Sequence, residues 1–144
     1  MNRFIFLFSV LLLLVSCKGE SVKEGQNESQ DGVAEQVEEP KPKVRYIDVN
    51  FAKGLIRSNQ ELKLIDVRTP EEFEEGHIDG SVVFDVKADN FAERIDSLDK
   101  NETYLIYCRS GSRSQRAIDK MTELGFMDLY MLNGGYLDWS EADE

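Results

Sequence analysis

Positive charge, cysteine and long apolar runs are all scarce in this sequence. Lys and Arg number 17 against 28 Asp and Glu, which gives a net charge of −11. A nucleic-acid partner is therefore disfavoured, because contacts with phosphates need a basic surface. There are only two cysteines, Cys17 and Cys108, and no internal repeats. The one long apolar run, residues 4–15, is shorter than the roughly 20 residues of a transmembrane helix.

The first 16 residues are predicted to be a signal peptide, with a weakly positive start at Met1 to Arg3 and a short apolar region. The run ends at Leu14-Val15-Ser16-Cys17, which resembles the lipoprotein box of bacteria, where the cysteine is lipidated and becomes the mature N-terminus. We therefore expect an exported protein, lipid-anchored through Cys17 at the bacterial cell envelope, on the periplasmic side or at the outer membrane. Two alternatives remain: a true transmembrane anchor, and ordinary cleavage nearby that leaves Cys17 free or in a disulfide.

Residues 17–43 are predicted to be the lipidated cysteine followed by a disordered acidic tether. Residues 18–43 lack aromatic side chains and hold few aliphatic ones, so they bury too little surface to offset the entropy of ordering. Pro40 and Pro42 stiffen the end of the tether. A partner-binding tail is the alternative. If Cys17 carries lipid, Cys108 is a lone thiol that is either buried and inert or kept for its reactivity.

Residues 44–144 are predicted to form one domain of the α/β class, in which strands alternate with helices. That alternation predicts a five-stranded, mostly parallel sheet with helices on both faces. The predicted strands are 44–47, 62–67, 81–84, 103–107 and 129–132. The predicted helices are 49–57, 69–75, 88–98 and 112–124, with a short last helix around 136–139. The helix over 69–75 is expected to have Thr69 as its cap, Pro70 in its first turn and acids at the positive end of its dipole.

Cys108 ends the fourth predicted strand and is followed by a loop of Arg, Ser and Gly and then by a helix. Sheets of the α/β class usually bind their ligands beyond the carboxyl ends of the strands, where Cys108 is predicted to lie. Gly111 lets the loop curl with its N–H groups pointing inward, and the helix adds the positive end of its dipole. These features favour a thiolate and predict a nucleophilic Cys108. The alternative is a buried structural cysteine with arginines that only solvate a helix face.

Three arginines, Arg109, Arg113 and Arg116, follow Cys108 with no acid among them, although the domain is otherwise acidic. Surface charges are normally mixed, so this basic island predicts attraction of a small anion toward the thiol.

Three motifs in order resemble the single-domain rhodanese-like sulfurtransferases. They are Leu64-Ile-Asp66-Val-Arg68-Thr-Pro70-Glu-Glu-Phe-Glu-Glu-Gly76-His77-Ile-Asp-Gly80-Ser, Ile106-Tyr-Cys108-Arg-Ser-Gly111-Ser-Arg113-Ser114 and Leu132-Asn-Gly134-Gly135-Tyr-Leu-Asp-Trp139. The resemblance covers nearly all of residues 44–144. It implies a five-stranded parallel sheet with helices on both sides. It also implies a cysteine that takes a sulfane sulfur from an anionic donor such as thiosulfate and passes it to a thiol or to cyanide.

The resemblance also implies roles for individual residues. Cys108 matches the persulfide-forming cysteine, and Asp66 and Arg68 match a motif that supports the active-site region. His77 matches a loop histidine that helps to hold the fold, with a catalytic base as its alternative role. Tyr136 and Trp139 are expected in the core, and neither a metal nor an organic cofactor is implied. The loop residues expected to bind the donor are Arg109, Ser110, Gly111, Ser112 and Arg113.

Two other functions remain open. Phosphatases and arsenate reductases of the related fold need an arginine six positions after the cysteine, but here that position is Ser114 and Arg113 comes one residue early. Residue 107 is Tyr rather than the His of those phosphatases. The second alternative is a rhodanese-like module used only for binding, although such modules usually lack the cysteine.

Overall fold

The structure is a computed structural model and describes residues 41–142. The predicted signal peptide, Cys17 and most of the predicted tether lie outside these residues. Along the chain, strands and helices alternate without exception. The elements are β1 (Lys43–Ile47), α1 (Val49–Ser58), β2 (Lys63–Asp66), α2 (Pro70–Glu74), β3 (Ser81–Val83), α3 (Phe91–Asp96), β4 (Thr103–Tyr107), α4 (Ser112–Glu123), β5 (Asp128–Leu132) and α5 (Gly135–Glu141).

All five strands form one parallel sheet in the order β1-β5-β4-β2-β3. The central strand β4 is flanked by β5 and β2, with Ile106 opposite Met131 and Tyr107 opposite Asp66. Since all strands run the same way, their carboxyl ends meet at one edge of the sheet. This result confirms the predicted α/β class and the five-stranded parallel sheet.

Two apolar cores lie on the two faces of the sheet, because successive side chains of a strand point to opposite faces. On β4, Ile106 packs in one core and Leu105 and Tyr107 in the other. The first core includes buried side chains of α3 and α4, and the second those of α1 and partly buried ones of α5. The helices therefore cover both faces, as predicted.

The largest difference from the predicted elements concerns α3, which begins at Phe91 rather than at Ala88. The Asp85 side chain accepts the N–H of Lys87 at 2.9 Å, and its carbonyl accepts that of Ala88 at 3.1 Å. These bonds fold residues 85–88 into a turn instead of a helix. A smaller difference is at Lys43, assigned to the tether but found in β1, where its N–H donates to the carbonyl of Met127.

Within residues 41–142, no helix combines the length and the apolar character needed to cross a membrane. The same part of the chain holds no group of three or more His, Cys, Asp or Glu placed to bind a metal ion.

Candidate active site

The carboxyl ends of three neighbouring strands bring the sequence motifs together. Asp66 ends β2 and Cys108 follows β4, and these strands are paired there because the N–H of Val67 donates to the carbonyl of Tyr107 at 2.9 Å. The N–H of Tyr136 in α5 donates to the carbonyl of Cys108 at 2.8 Å. Segments far apart in the sequence therefore form one site, at the sheet edge where α/β proteins usually bind ligands.

Cys108 is free and 1% exposed, and its side chain lies in the core that α4 covers. Gly111 has φ +111°, a backbone conformation that is strained for any residue other than glycine. In this conformation its N–H points toward the sulfur. The distance from that nitrogen to Cys108 Sγ is 3.1 Å. The loop therefore begins to enclose the sulfur before α4 starts at Ser112.

The surroundings of Cys108 favour its thiolate. Burial raises the pKa of Cys108, but nearby hydrogen-bond donors outweigh burial and hold that pKa below its ordinary value. These groups are, in order of effect, the hydroxyl and the N–H of Ser114 and the N–H groups of Gly111 and Ser110. The thiol is thus activated by hydrogen-bond donors of the loop and of the first turn of α4.

Arg113 is not free to bind an anion with its full charge. Its guanidinium donates from both terminal nitrogens to the carboxylate of Glu72, with Nη2 at 2.7 Å from Oε1. The hydrogen bonds from Arg113 lower the pKa of Glu72 to about 2. The pair with Glu72 raises the pKa of Arg113, and the nearby Cys108 adds a smaller effect in the same direction. The predicted basic island is thus partly neutralised by an acid from another part of the chain.

Glu72 is fixed in place by α2. The helix begins with Thr69 as its cap and Pro70 in its first turn, as predicted. The Thr69 hydroxyl accepts the N–H of Glu72, and the Glu72 carboxylate accepts the N–H of Thr69. One carboxylate thus caps α2 and holds an arginine of the active-site loop.

A cavity of about 300 Å³ lies between Arg109, which directly follows Cys108, and residues of α5. Cys108 itself does not line it. Arg109 lines it, and its exposed side chain makes no hydrogen bond or ion pair with any residue of the described chain. The N–H of Leu137, another lining residue, donates to the carbonyl of Arg109 at 3.1 Å. The other lining residues are Arg68, Glu72, Glu75, Tyr136 and Ser140. Among the residues that line this cavity, Arg109 is therefore the cation without a paired acid.

Asp66 and Arg68 form a buried ion pair beside this cavity. They are 0% and 4% exposed, and Arg68 donates to both oxygens of Asp66 at 2.6–3.0 Å. Burial opposes the charge of Arg68, but hydrogen bonds and attraction from Asp66 outweigh burial, so the pKa of Arg68 is raised. Arg68 also donates to the carbonyl of Gly76 at 2.6 Å and lies 4.3 Å from the Tyr136 ring centroid. The pair thus ties β2 to the end of α2 and to α5.

Gly135 allows α5 to reach the active-site loop. Its φ is +66°, and a Cβ at this position would lie 2.4 Å from the carbonyl oxygen of Cys108 and 2.6 Å from that of Arg109. No side chain fits there without displacing the backbone of the loop.

His77 lies apart from the thiol. Its exposed ring stacks on Phe73 with centroids 3.8 Å apart, and Nδ1 is 3.0 Å from the carbonyl oxygen of Phe73. It lines a different cavity together with Trp139. These contacts indicate that His77 holds the end of α2. None of them involves Cys108.

A cavity of about 420 Å³ lies elsewhere. It lies near the amino ends of β2 and β4, where Lys63 and Tyr104 line it, and Cys108 is not among its lining residues. This cavity is larger than the one lined by Arg109, but Cys108 lies at the opposite ends of the strands.

A family model described as "Rhodanese-like domain" matches residues 48–142. The chain belongs to the rhodanese-like domain family. Thiosulfate sulfurtransferase GlpE of Shewanella oneidensis is 34% identical to it over 99 residues, covering 69% of this chain and 95% of the relative. The putative sulfurtransferase YtwF of Bacillus subtilis is 34% identical over 96 residues, covering 67% and 90%. These relatives support membership in a sulfurtransferase family.

Solved structures agree with this assignment of the fold. A rhodanese-like domain protein from Staphylococcus aureus is 27% identical, with a TM-score of 0.59, over 66% of this chain and 90% of that one. A human single-domain sulfurtransferase, at 20% identity and a TM-score of 0.59 over 69% and 97%, shows the shared fold alone.

Three residues of this rhodanese-like domain were not predicted to belong to the site. Glu72 was assigned only to the acidic first turn of a helix and Gly135 only to a motif. Ser114 was assigned only to a motif and to the position where the related phosphatases carry an arginine. A sequence signal existed for Glu72, because Thr69 three residues earlier completes a capping box that fixes its position. Tyr136, predicted as a core residue, packs on one core but also lines the cavity at the site.

Proposed function

We propose that this rhodanese-like domain transfers a sulfane sulfur from an anionic donor such as thiosulfate to a thiol or cyanide acceptor, through a persulfide on Cys108. The observation that supports this proposal most directly is the hydrogen bond of 3.1 Å from the Gly111 N–H to the Cys108 sulfur. That donor belongs to a loop which opens a twelve-residue helix, α4, so the sulfur faces the positive end of the helix dipole. Relatives named as sulfurtransferases support the same chemistry.

The reaction proceeds in two displacement steps. The Cys108 thiolate attacks the outer sulfur of thiosulfate, forming a new S–S bond. The bond between the two sulfurs of thiosulfate breaks, and sulfite leaves with the electron pair. The N–H groups that favour the thiolate then hold the negative charge of the persulfide. An acceptor thiolate attacks the outer sulfur of the persulfide, carries it away, and restores the Cys108 thiolate.

Phosphate chemistry is less well supported by the same loop. The position that holds the phosphate-binding arginine in the related phosphatases is Ser114, which is buried in the first turn of α4. Arg113, one residue earlier, is engaged by Glu72. The site therefore offers a few N–H donors around one sulfur atom rather than an arginine clamp around a tetrahedral anion.

The proposal is tested by incubating the purified protein with thiosulfate, 3-mercaptopyruvate or polysulfide and measuring its intact mass. We expect an adduct of one sulfur atom, which cyanide or a small thiol removes. A protein that remains unmodified with all three donors would favour the alternative of a binding module.

Arg109 and Arg113 are expected to differ in their effect on donor binding. Arg109→Ala removes an unpaired cation at the cavity, so we expect the KM for thiosulfate to rise roughly threefold to tenfold. The change in KM for a neutral donor should be much smaller. Arg113→Ala removes a charge already shared with Glu72 and should raise the KM for thiosulfate less than Arg109→Ala does. The two KM ratios, measured at low and high salt, check this order. A larger salt-dependent effect of Arg113→Ala would contradict it.

We also propose that the protein is exported and lipid-anchored through Cys17, because the leader and its lipoprotein box lie directly before the acidic tether. Cells that express the full chain should incorporate labelled fatty acid into it, and it should fractionate with membranes. Cys17→Ser should abolish both. Fatty-acid labelling that persists in Cys17→Ser would refute the anchor.

A further inference from the structure

Ser114 is the one buried polar side chain of residues 41–142 that lacks a hydrogen-bond partner. It is the third residue of α4, it is 0% exposed, and its Oγ makes no hydrogen bond. The other buried polar side chains, Asp66 and Arg68, bond to each other. A buried hydroxyl without a partner loses its hydrogen bonds to water and gains none in return, so its presence requires an explanation.

The sulfur of Cys108 is the group that this hydroxyl can serve. Ser114 lies in the first turn of α4, beyond the loop whose Gly111 N–H already donates to the sulfur. The Ser114 hydroxyl is the strongest of the groups that hold the pKa of Cys108 down against the opposing effect of burial. No regular hydrogen bond joins this hydroxyl to the sulfur in the resting protein. A hydroxyl rotates freely about its C–O bond and can complete that bond once the sulfur carries charge.

We propose that the Ser114 hydroxyl is a sulfur-binding donor, held without a partner in the resting protein so that it can bond to the charged sulfur of Cys108. It donates to the thiolate before sulfur transfer and to the persulfide after it. Donation to the persulfide rests on the proposed sulfur transfer, whereas donation to the thiolate does not. In this assignment, the donor set around Cys108 extends one residue beyond the predicted loop 109–113.

The same observation bears on which ligand fits the site. An arginine six residues after the cysteine reaches outward to hold a phosphate, but a serine at that position is short and remains buried beside the sulfur. The donor therefore lies close to Cys108 Sγ and to an atom bonded to it, and is too short to reach around a larger anion. Ser114 thus favours the transfer of a single sulfur atom at this position.

Titration of the thiolate tests the proposal without any sulfur donor. The ultraviolet absorbance of the Cys108 thiolate is followed against pH in the full chain, with Cys108→Ser as the blank. In Ser114→Ala we expect the midpoint to move to higher pH, so that the thiolate fraction below the midpoint falls roughly tenfold. Ser114→Thr keeps a hydroxyl and should titrate like the parent protein. Thr122→Ala, later on the same helix, should change nothing.

A purely structural Ser114 would give different results. Removing a hydroxyl that has no partner should leave the urea midpoint of unfolding unchanged or slightly raised. An unchanged titration in folded Ser114→Ala would overturn the proposal, as would loss of folding in that variant or a shifted titration in Ser114→Thr. If the titration shifts but thiosulfate leaves no adduct on the parent protein, Ser114 keeps its role and the sulfur transfer proposed above fails. If thiosulfate leaves an adduct on the parent protein but the titration of Ser114→Ala does not shift, only the role of Ser114 is refuted.

Discussion

Cys108→Ser is expected to abolish the one-sulfur adduct and to lower thiosulfate-dependent turnover on the order of a thousandfold or more. A serine hydroxyl ionises far less readily than a thiol, so the donors that favour the thiolate cannot produce an equivalent nucleophile. Intact mass and sulfite release measure the two effects. The substitution changes one atom at a buried position, and a urea melt should show that the fold is retained.

The matched control is Cys17→Ser, which removes the other cysteine of the chain. In detergent-purified protein this variant should still take one sulfur from thiosulfate. An adduct that persists in Cys108→Ser and disappears in Cys17→Ser would place the chemistry on the wrong thiol and refute the mechanism.

Asp66→Ala should lower the free energy of unfolding by about 3–5 kcal/mol, the largest stability effect expected in this protein. The reason is that Arg68, only 4% exposed, would keep its charge in the interior without a carboxylate to compensate it. Urea unfolding followed by tryptophan fluorescence measures the loss, because Trp139 reports on the α5 side of the sheet.

Two further variants test whether the loss of stability comes from leaving a buried charge unpaired. Replacing the whole pair, as Asp66→Leu with Arg68→Met, should restore much of the stability, since no charge is then left buried. Lys120→Ala breaks an exposed pair with Glu123 at 3.0 Å and should cost less than about 1 kcal/mol. If Asp66→Ala costs no more than Lys120→Ala, the buried pair does not stabilise this edge of the sheet.

The predicted elements that agree best with the structure are those with strong local signals. Strand β4 was predicted at residues 103–107 and lies there, because an uninterrupted apolar run between turn residues has few other ways to be buried. Helix α2 follows from Thr69 as a cap and Pro70 in the first turn, both local hydrogen-bonding and steric effects. Helix α3 was predicted too long, because an Asp85 turn outweighed the helical pattern.

The charge of the site could not be predicted in the same way. Arg109 and Arg113 look alike in sequence, as cations in a loop that contains no acid. Their difference depends on Glu72, 41 residues away along the chain, which the pairing of β2 with β4 places beside Arg113. Sequence distance carries no information on such a contact, so the two arginines had been given the same role.

The sequence by itself determined the order of strands and helices, the membership in the rhodanese-like domain family, and the position of Cys108 between a strand and a helix. These properties depend on local patterns of apolar residues, caps and glycines. Only the tertiary structure decided which donors face the sulfur, which arginine keeps an unpaired charge, and which buried hydroxyl has no partner. Those properties depend on burial and on contacts between segments, and both exist only once the five strands lie side by side.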